Sequence, residues 1–200
     1  MIRLAILISN SGTGTNLQAI IDAIENKTLK ARIVTVISDK KDAYGLTRAG
    51  THHIPTAICL AKEQLLPLLQ AHKPDYVCLT GWKLIIPNDV LTIYSQRILN
   101  IHPGLIPDTI QGIVKNPDGT EALWNKGKFT DTAIQNFLTA KATYAGSTVH
   151  FLSNEFDFGP VLGRCFEKIQ PNDTAETLYA RLKKKENHMY VQTLKKLCNT

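Results

Sequence analysis

The sequence predicts an α/β fold: a mostly parallel twisted sheet with helices on both faces and an antiparallel strand or two near the C-terminus. Three observations point there. Short, unbroken apolar runs recur in the first half, at 4–8 (LAILI), 31–38 (ARIVTVIS), 76–79 (YVCL) and 98–101 (ILNI). Strands buried on both faces of a parallel sheet read this way. Between these runs lie segments with apolar residues at helical spacing, so strand and helix alternate. The first strand also runs through a polar glycine loop, SNSGTGT at 9–15, straight into a helical segment, as a Rossmann-like half begins.

The totals agree. A chain of 200 residues, 44% hydrophobic and 20% charged, forms one globular domain with a sizeable core. The net charge of +6 suits an anionic small molecule. It does not indicate nucleic acid, because the charges are scattered and lack interleaved aromatics that would stack on bases. Cys59, Cys78, Cys165 and Cys198 are far apart and form no CxxC, which reads as structural thiols in a reducing compartment. The apolar start at 1–8 is too short to span a membrane and runs into a polar loop. A cytoplasmic protein that binds no membrane and no metal is expected.

In chain order, strand 4–8 leads through the glycine loop to a helix carrying Leu17, Ile20, Ile21 and Ile24. The loop's N–H groups and the helix N-terminus suit one phosphate, or form only a tight turn with an Asn or Thr cap. The loop is no Walker sequence, and it lacks the third glycine of a dinucleotide site. A strand at 31–38, a helix at 44–51 and a strand at 56–60 follow. A helix at 61–71 contains Pro67. After strand 76–79 comes an apolar loop at 80–87, a short helix at 88–94 and the strand at 98–101. Residues 108–130 form a long loop with a strong turn signal, NPDGT at 116–120, of a length that usually serves function. Thr130 is expected to cap a helix reaching Ala142. GSTVHFL (146–152) alternates as a strand, and 160–167 makes another, antiparallel to it. The last helix starts at 172–174 and reaches about residue 197.

The central stretch is LNIHPGLIP at 99–107. Asn100 and His102 are two apart on a strand and so share a side, and Pro103 ends regular pairing. They either cap the strand or lean into a cavity at its C-terminal end, where open α/β sheets bind ligands. With Asp157 they form a set suited to acyl transfer to an amine. The imidazole exchanges a proton near neutral pH, the amide donates to an oxyanion, and the carboxylate orients the ring or a water. No serine or cysteine stands beside a base in a nucleophile motif, which favours direct transfer.

NIHPGLIP, GSTVHF and the turn DFGPVL resemble the folate-dependent formyltransferases, and SGTGTNLQAII resembles their purine-synthesis branch. The resemblance covers nearly the whole chain. It implies a Rossmann-like formyltransferase fold, with a phosphate-binding half at 1–99 and a catalytic and folate-binding half at 100–200. It implies transfer of the formyl group of 10-formyltetrahydrofolate, a cosubstrate, to the amine of glycinamide ribonucleotide, in a monomer or homodimer. Asn100, His102 and Asp157 match the catalytic trio. Gly12, Gly14, Thr15 and Asn16 match the phosphate cradle, with Thr15 where Ser is usual. Glu186 matches a substrate-contacting acid, and Lys183, one turn earlier, would lie near the phosphate or ribose. Trp82, Lys83, Leu84, Ile85 and Ile86 match the pterin-holding segment, and Phe156 and Gly159 the folate loop. His150 matches a histidine behind the trio, or is simply a satisfied strand histidine.

Two departures stand out. Gly104 replaces the usual Ser, and residues 108–130 are longer than the family turn and lack its histidines. Readings left open are a formyltransferase for another amine, such as an amino sugar nucleotide, and a deformylase passing the formyl group to water. A folate- or nucleotide-binding module without turnover is a further alternative, which the intact trio disfavours. A dinucleotide oxidoreductase fits poorly, since Asp39 alone does not make a ribose site.

Overall fold

A computed structural model describes residues 1–9 and 13–198; the expected loop residue Gly12 lies outside them. The chain forms two compact units, Met1–Asn100 with the chain from Leu194 on, and Ile101–Thr193.

The first unit is built on five parallel strands: β1 (Ile2–Ile8), β2 (Ala31–Ser38), β3 (Thr56–Ile58), β4 (Tyr76–Leu79) and β5 (Ile98–His102), whose last residues pass into the second unit. Their order is β3-β2-β1-β4-β5, the doubly wound order in which the chain reverses direction beside the first strand. β1 lies at the centre, and Leu4, Ala5, Ile6, Leu7 and Ile8 are all buried. That accounts for the unbroken apolar run, because a strand with neighbours on both sides and helices above and below has no wet face. The helices are α1 (Thr15–Glu25), α2 (Tyr44–Thr51), α3 (Leu65–His72) and α4 (Asn88–Ile93).

The second unit holds α5 (Thr130–Thr139), β6 (Tyr144–Phe151), β7 (Val161–Lys168) and most of α6 (Ala175–Cys198). β6 and β7 pair antiparallel, from Tyr144 opposite Lys168 to His150 opposite Val161. The 108–130 segment contains a small turn closed by an antiparallel bridge between Lys115 and Glu121, centred on the NPDGT signal. The fold class is therefore the one expected: α/β, mostly parallel, with an antiparallel pair toward the C-terminus.

Local chemistry corrects several boundaries. β3 stops two residues early because Gln64 Oε1 accepts the Leu60 N–H at 2.9 Å and bends the chain. The helix expected over 61–71 is a 3₁₀ turn (Lys62–Gln64) followed by α3. Pro67 lies in the first turn of α3, where its missing N–H costs no helical bond. Thr130 is not a cap. Phe129 takes the extended N-cap conformation and Thr130 is the first helical residue. α5 ends at Thr139 rather than Ala142, since Lys141 turns left-handed at φ 52°. α6 begins at Ala175, where Thr174 and Thr177 exchange hydrogen bonds at the cap.

Candidate active site

β5 carries Asn100 and His102 two positions apart, and Pro103 ends it. The chain then turns through Gly104, and two side chains from the β6–β7 pair hold that turn. Thr148 Oγ1 donates to the Gly104 carbonyl at 2.7 Å and accepts the Ile106 N–H at 3.0 Å. Arg164 donates to the Ile106 carbonyl from Nε at 2.9 Å and Nη2 at 2.6 Å, and from Nη2 to Asp108 at 2.8 Å. A guanidinium fork on one carbonyl fixes that peptide's orientation.

The His102 side chain is 2% exposed. Its Nε2 donates to the Trp124 carbonyl at 2.7 Å, and its Nδ1 lies 3.6 Å from Asp157 Oδ1. Asp157 stands in the turn between β6 and β7 in a left-handed conformation, φ 49°, which aspartate adopts more readily than most residues. Its Oδ2 accepts the Gly127 N–H at 2.7 Å, and its carbonyl accepts the Trp124 indole N–H at 3.0 Å. Burial pushes the Asp157 carboxyl up, but His102 and the Gly127 N–H outweigh it, and the net displacement is downward. The carboxylate is thus the form present at neutral pH.

His150 is fully buried on β6, with Nδ1 3.0 Å from the Phe151 carbonyl. Burial first, then the neighbouring His102, pushes it down to about 4. A neutral His150 keeps its own positive charge away from the His102–Asp157 pair.

Another polar group in the second unit joins α6 to β6. Glu186 is buried; Ser147 donates to its Oε1 at 2.5 Å and Lys183 Nζ lies 3.0 Å from its Oε2. Burial alone would push the Lys183 ammonium down, but Glu186 and Tyr179 outweigh it and hold it up. Both residues matched to the acceptor are therefore engaged with each other, one turn apart on one helix face.

In the first unit, Gly14 is the N-cap of α1, left-handed at φ 68° with no side-chain cap bond. That geometry leaves the first N–H groups of α1 directed outward. Thr15 begins the helix, and Asn16 is buried with its Oδ1 unpartnered among the described residues. Arg48, which the sequence did not single out, donates to the Thr13 carbonyl at 2.7 Å and to Gln18 Oε1 at 2.8 Å. The segment matched to the pterin begins after β4: the Lys83 N–H donates to Ser9 Oγ at 3.1 Å, and Trp82 Nε1 is buried and unpartnered among the described residues. Ile86 is buried and Leu84 half-buried, whereas Ile85, and in the second unit Phe156, are exposed. Gly159 closes the Asp157 turn ahead of β7, beside His150.

Trp124 and Gly127 were not anticipated. Their signal was present in the sequence as the unusual length of 108–130, but loop length does not say which of its atoms turn inward. Thr148 and Arg164 were hidden for the same reason. On an alternating strand, a polar residue that faces a neighbouring loop looks like one that faces water.

A formyl transferase family model matches residues 2–194. The chain belongs to the formyl transferase family. It is similar to phosphoribosylglycinamide formyltransferase of Haemophilus influenzae, 33% identical across 98% of this chain and 86% of the relative. It is also similar to the chloroplastic enzyme of that name from Arabidopsis thaliana, 28% identical, of whose length it spans 65%. Among solved structures, glycinamide ribonucleotide transformylase 1 from Symbiobacterium toebii superposes with a TM-score of 0.84 at 32% identity, covering 100% of this chain and 88% of that one. The Rossmann-like reading of the first unit is the fold of this family. Among the described residues, no group of His, Cys, Asp and Glu is placed to hold a metal, and no helix is long and apolar enough to cross a membrane.

Proposed function

We propose that this protein transfers the formyl group of 10-formyltetrahydrofolate to the amino group of glycinamide ribonucleotide, in purine synthesis. The observation that carries the reading is the His102–Asp157 pair: a buried imidazole and an ionised carboxylate, 3.6 Å apart, on the strand end and turn that also carry the family's motifs. The acceptor amine attacks the formyl carbon, and the formyl oxygen gains negative charge. Asn100 and His102 donate to that oxygen. The amine loses one proton and the departing folate nitrogen gains one, so no net proton and no oxidant is required. Asp157 tunes His102 and relays the proton through water.

Gly12, Gly14, Thr15 and Asn16 would hold the phosphate end of the acceptor, supported by the outward N–H groups of α1. Lys183 and Glu186 would meet its ribose or amine. The formyl folate would be held by Trp82, Lys83, Leu84, Ile85, Ile86, Phe156 and Gly159, a reading supported by Trp82 Nε1, a buried donor without an acceptor among the described residues. A monomer or a homodimer is compatible with this reading. The reading places the protein in the cytoplasm, where its reaction would run.

The test is a formyl-transfer assay with 10-formyltetrahydrofolate against glycinamide ribonucleotide, an amino sugar nucleotide and water alone. Turnover is expected with the ribonucleotide. Asn100→Ala and His102→Ala should each lower kcat/KM by about 10²–10³-fold with the thermal midpoint retained. Transfer only to the amino sugar, or only to water, would overturn the reading.

A further inference from the structure

We propose that Trp124 is a positioning residue for the reaction, holding His102 through its backbone carbonyl and Asp157 through its indole N–H. The inference rests on the formyl-transfer reading of this site and deepens it.

The first contact fixes the ring. A carbonyl only accepts, so the His102 nitrogen facing it, Nε2 at 2.7 Å, carries a hydrogen. That leaves Nδ1 as the nitrogen that gains and loses a proton, and Nδ1 faces Asp157 Oδ1. Their separation of 3.6 Å exceeds a hydrogen bond. Both atoms can therefore converge on a third group that carries protons, a water or the attacking amine. The second contact fixes the acid. Asp157 has a left-handed backbone, and the Trp124 indole N–H holds its carbonyl at 3.0 Å while the Gly127 N–H holds Oδ2 at 2.7 Å.

The Trp124 strap is built in. The Leu105 N–H donates to the Leu123 carbonyl at 2.9 Å, and Asn125 Nδ2 donates to the Pro103 carbonyl at 3.1 Å. These flank the His102–Trp124 bond, so three successive residues of the strap are tied to 102–105. Asn125 is itself buried and left-handed, held also by the Ala133 carbonyl and Asn136.

Gly104 supplies independent support. A Cβ there would overlap the Trp124 carbonyl and approach His102 Nε2 to 2.9 Å. The strap therefore requires glycine at this position. The two departures seen in the sequence, glycine in HPGLIP and the long segment after it, have one physical cause: the long segment sends a backbone carbonyl into the space a serine side chain would take. Trp124 is only half-buried, with Lys126 over its ring, so filling the core does not account for it.

The experiment has a variant arm and a wild-type arm. Trp124→Phe keeps the backbone carbonyl and an aromatic ring against Phe158, whose centroid lies 5.8 Å from that of Trp124, but removes the indole N–H. Its kcat should fall about 10-fold with KM for both substrates within about twofold, since loosened catalytic geometry acts on the chemical step. The acidic limb of its pH–rate profile should move to higher pH, as the Asp157 carboxyl returns toward its ordinary value. Unchanged kcat with an unshifted limb would overturn the proposal. The wild-type arm uses nitrogen-15 NMR of histidine-labelled protein, with the His102 signal identified from His102→Gln. The neutral ring should carry its proton on Nε2; a proton on Nδ1 would overturn the proposal even if the variant fails to fold. This measurement needs no substrate. Absence of formyl transfer in the wild type would count against the activity reading alone, while the tautomer decides the positioning.

Discussion

Stability below neutral pH should be governed to a large degree by His150. The ring is fully buried, its Nδ1 bonds the Phe151 carbonyl, and burial followed by His102 lowers it from 6.5 to about 4. Between those two values the unfolded chain binds a proton at this site and the folded chain does not. Stability therefore rises with pH across the window and is lost as pH falls. With 1.36 kcal/mol per unit, a displacement of about 2.5 units costs about 3 kcal/mol of stability once pH is below 4, and about 2 kcal/mol at pH 5. Above pH 6.5 the contribution is complete and flat. Urea denaturation of wild type and His150→Gln, at half-unit steps from pH 8 to 4.5, isolates it. Asp157 titrates in the same sense at lower pH, so the quantity to follow is wild type minus variant. That difference should shrink by about 2 kcal/mol between pH 7.5 and 5. A constant difference across this range would refute the reasoning and mean that water or a rearranged β6 meets the protonated ring.

Three further outcomes are expected. Gly104→Ser should lower kcat by about 10- to 100-fold by driving the Trp124 carbonyl off His102, seen in single-turnover kinetics together with a change in tryptophan fluorescence. Glu186→Ala should cost about 3 kcal/mol of unfolding free energy, since it strands the largely buried Lys183 ammonium; chemical denaturation measures this, and a raised KM for the ribonucleotide alone would mark a role in acceptor binding. Arg164→Lys keeps the charge but loses the fork on the Ile106 carbonyl, and should cost about 1–2 kcal/mol, read as a lower thermal midpoint.

The sequence by itself determined the alternation of strand and helix, the burial of β1 on both faces and the placing of Asn100 and His102 on one side of a strand end. Each is written in short-range patterns: unbroken apolar runs, helical spacing, an Asn and a His two apart before a proline. Those patterns depend on period and local backbone chemistry, which a chain carries before it folds. Boundaries slipped where one distant or side-chain hydrogen bond outweighed local preference, as Gln64 did at the end of β3. What only the tertiary structure decided is how the site is held. Asp157 lies 55 positions beyond His102, and Trp124 and Gly127 reach the pair from a loop with no period to read, while Thr148 and Arg164 hold the turn after His102 from strands whose alternation does not say what a polar residue faces. The meaning of Gly104 also emerged only there, because a missing side chain shows its reason once the carbonyl that fills its place is in view.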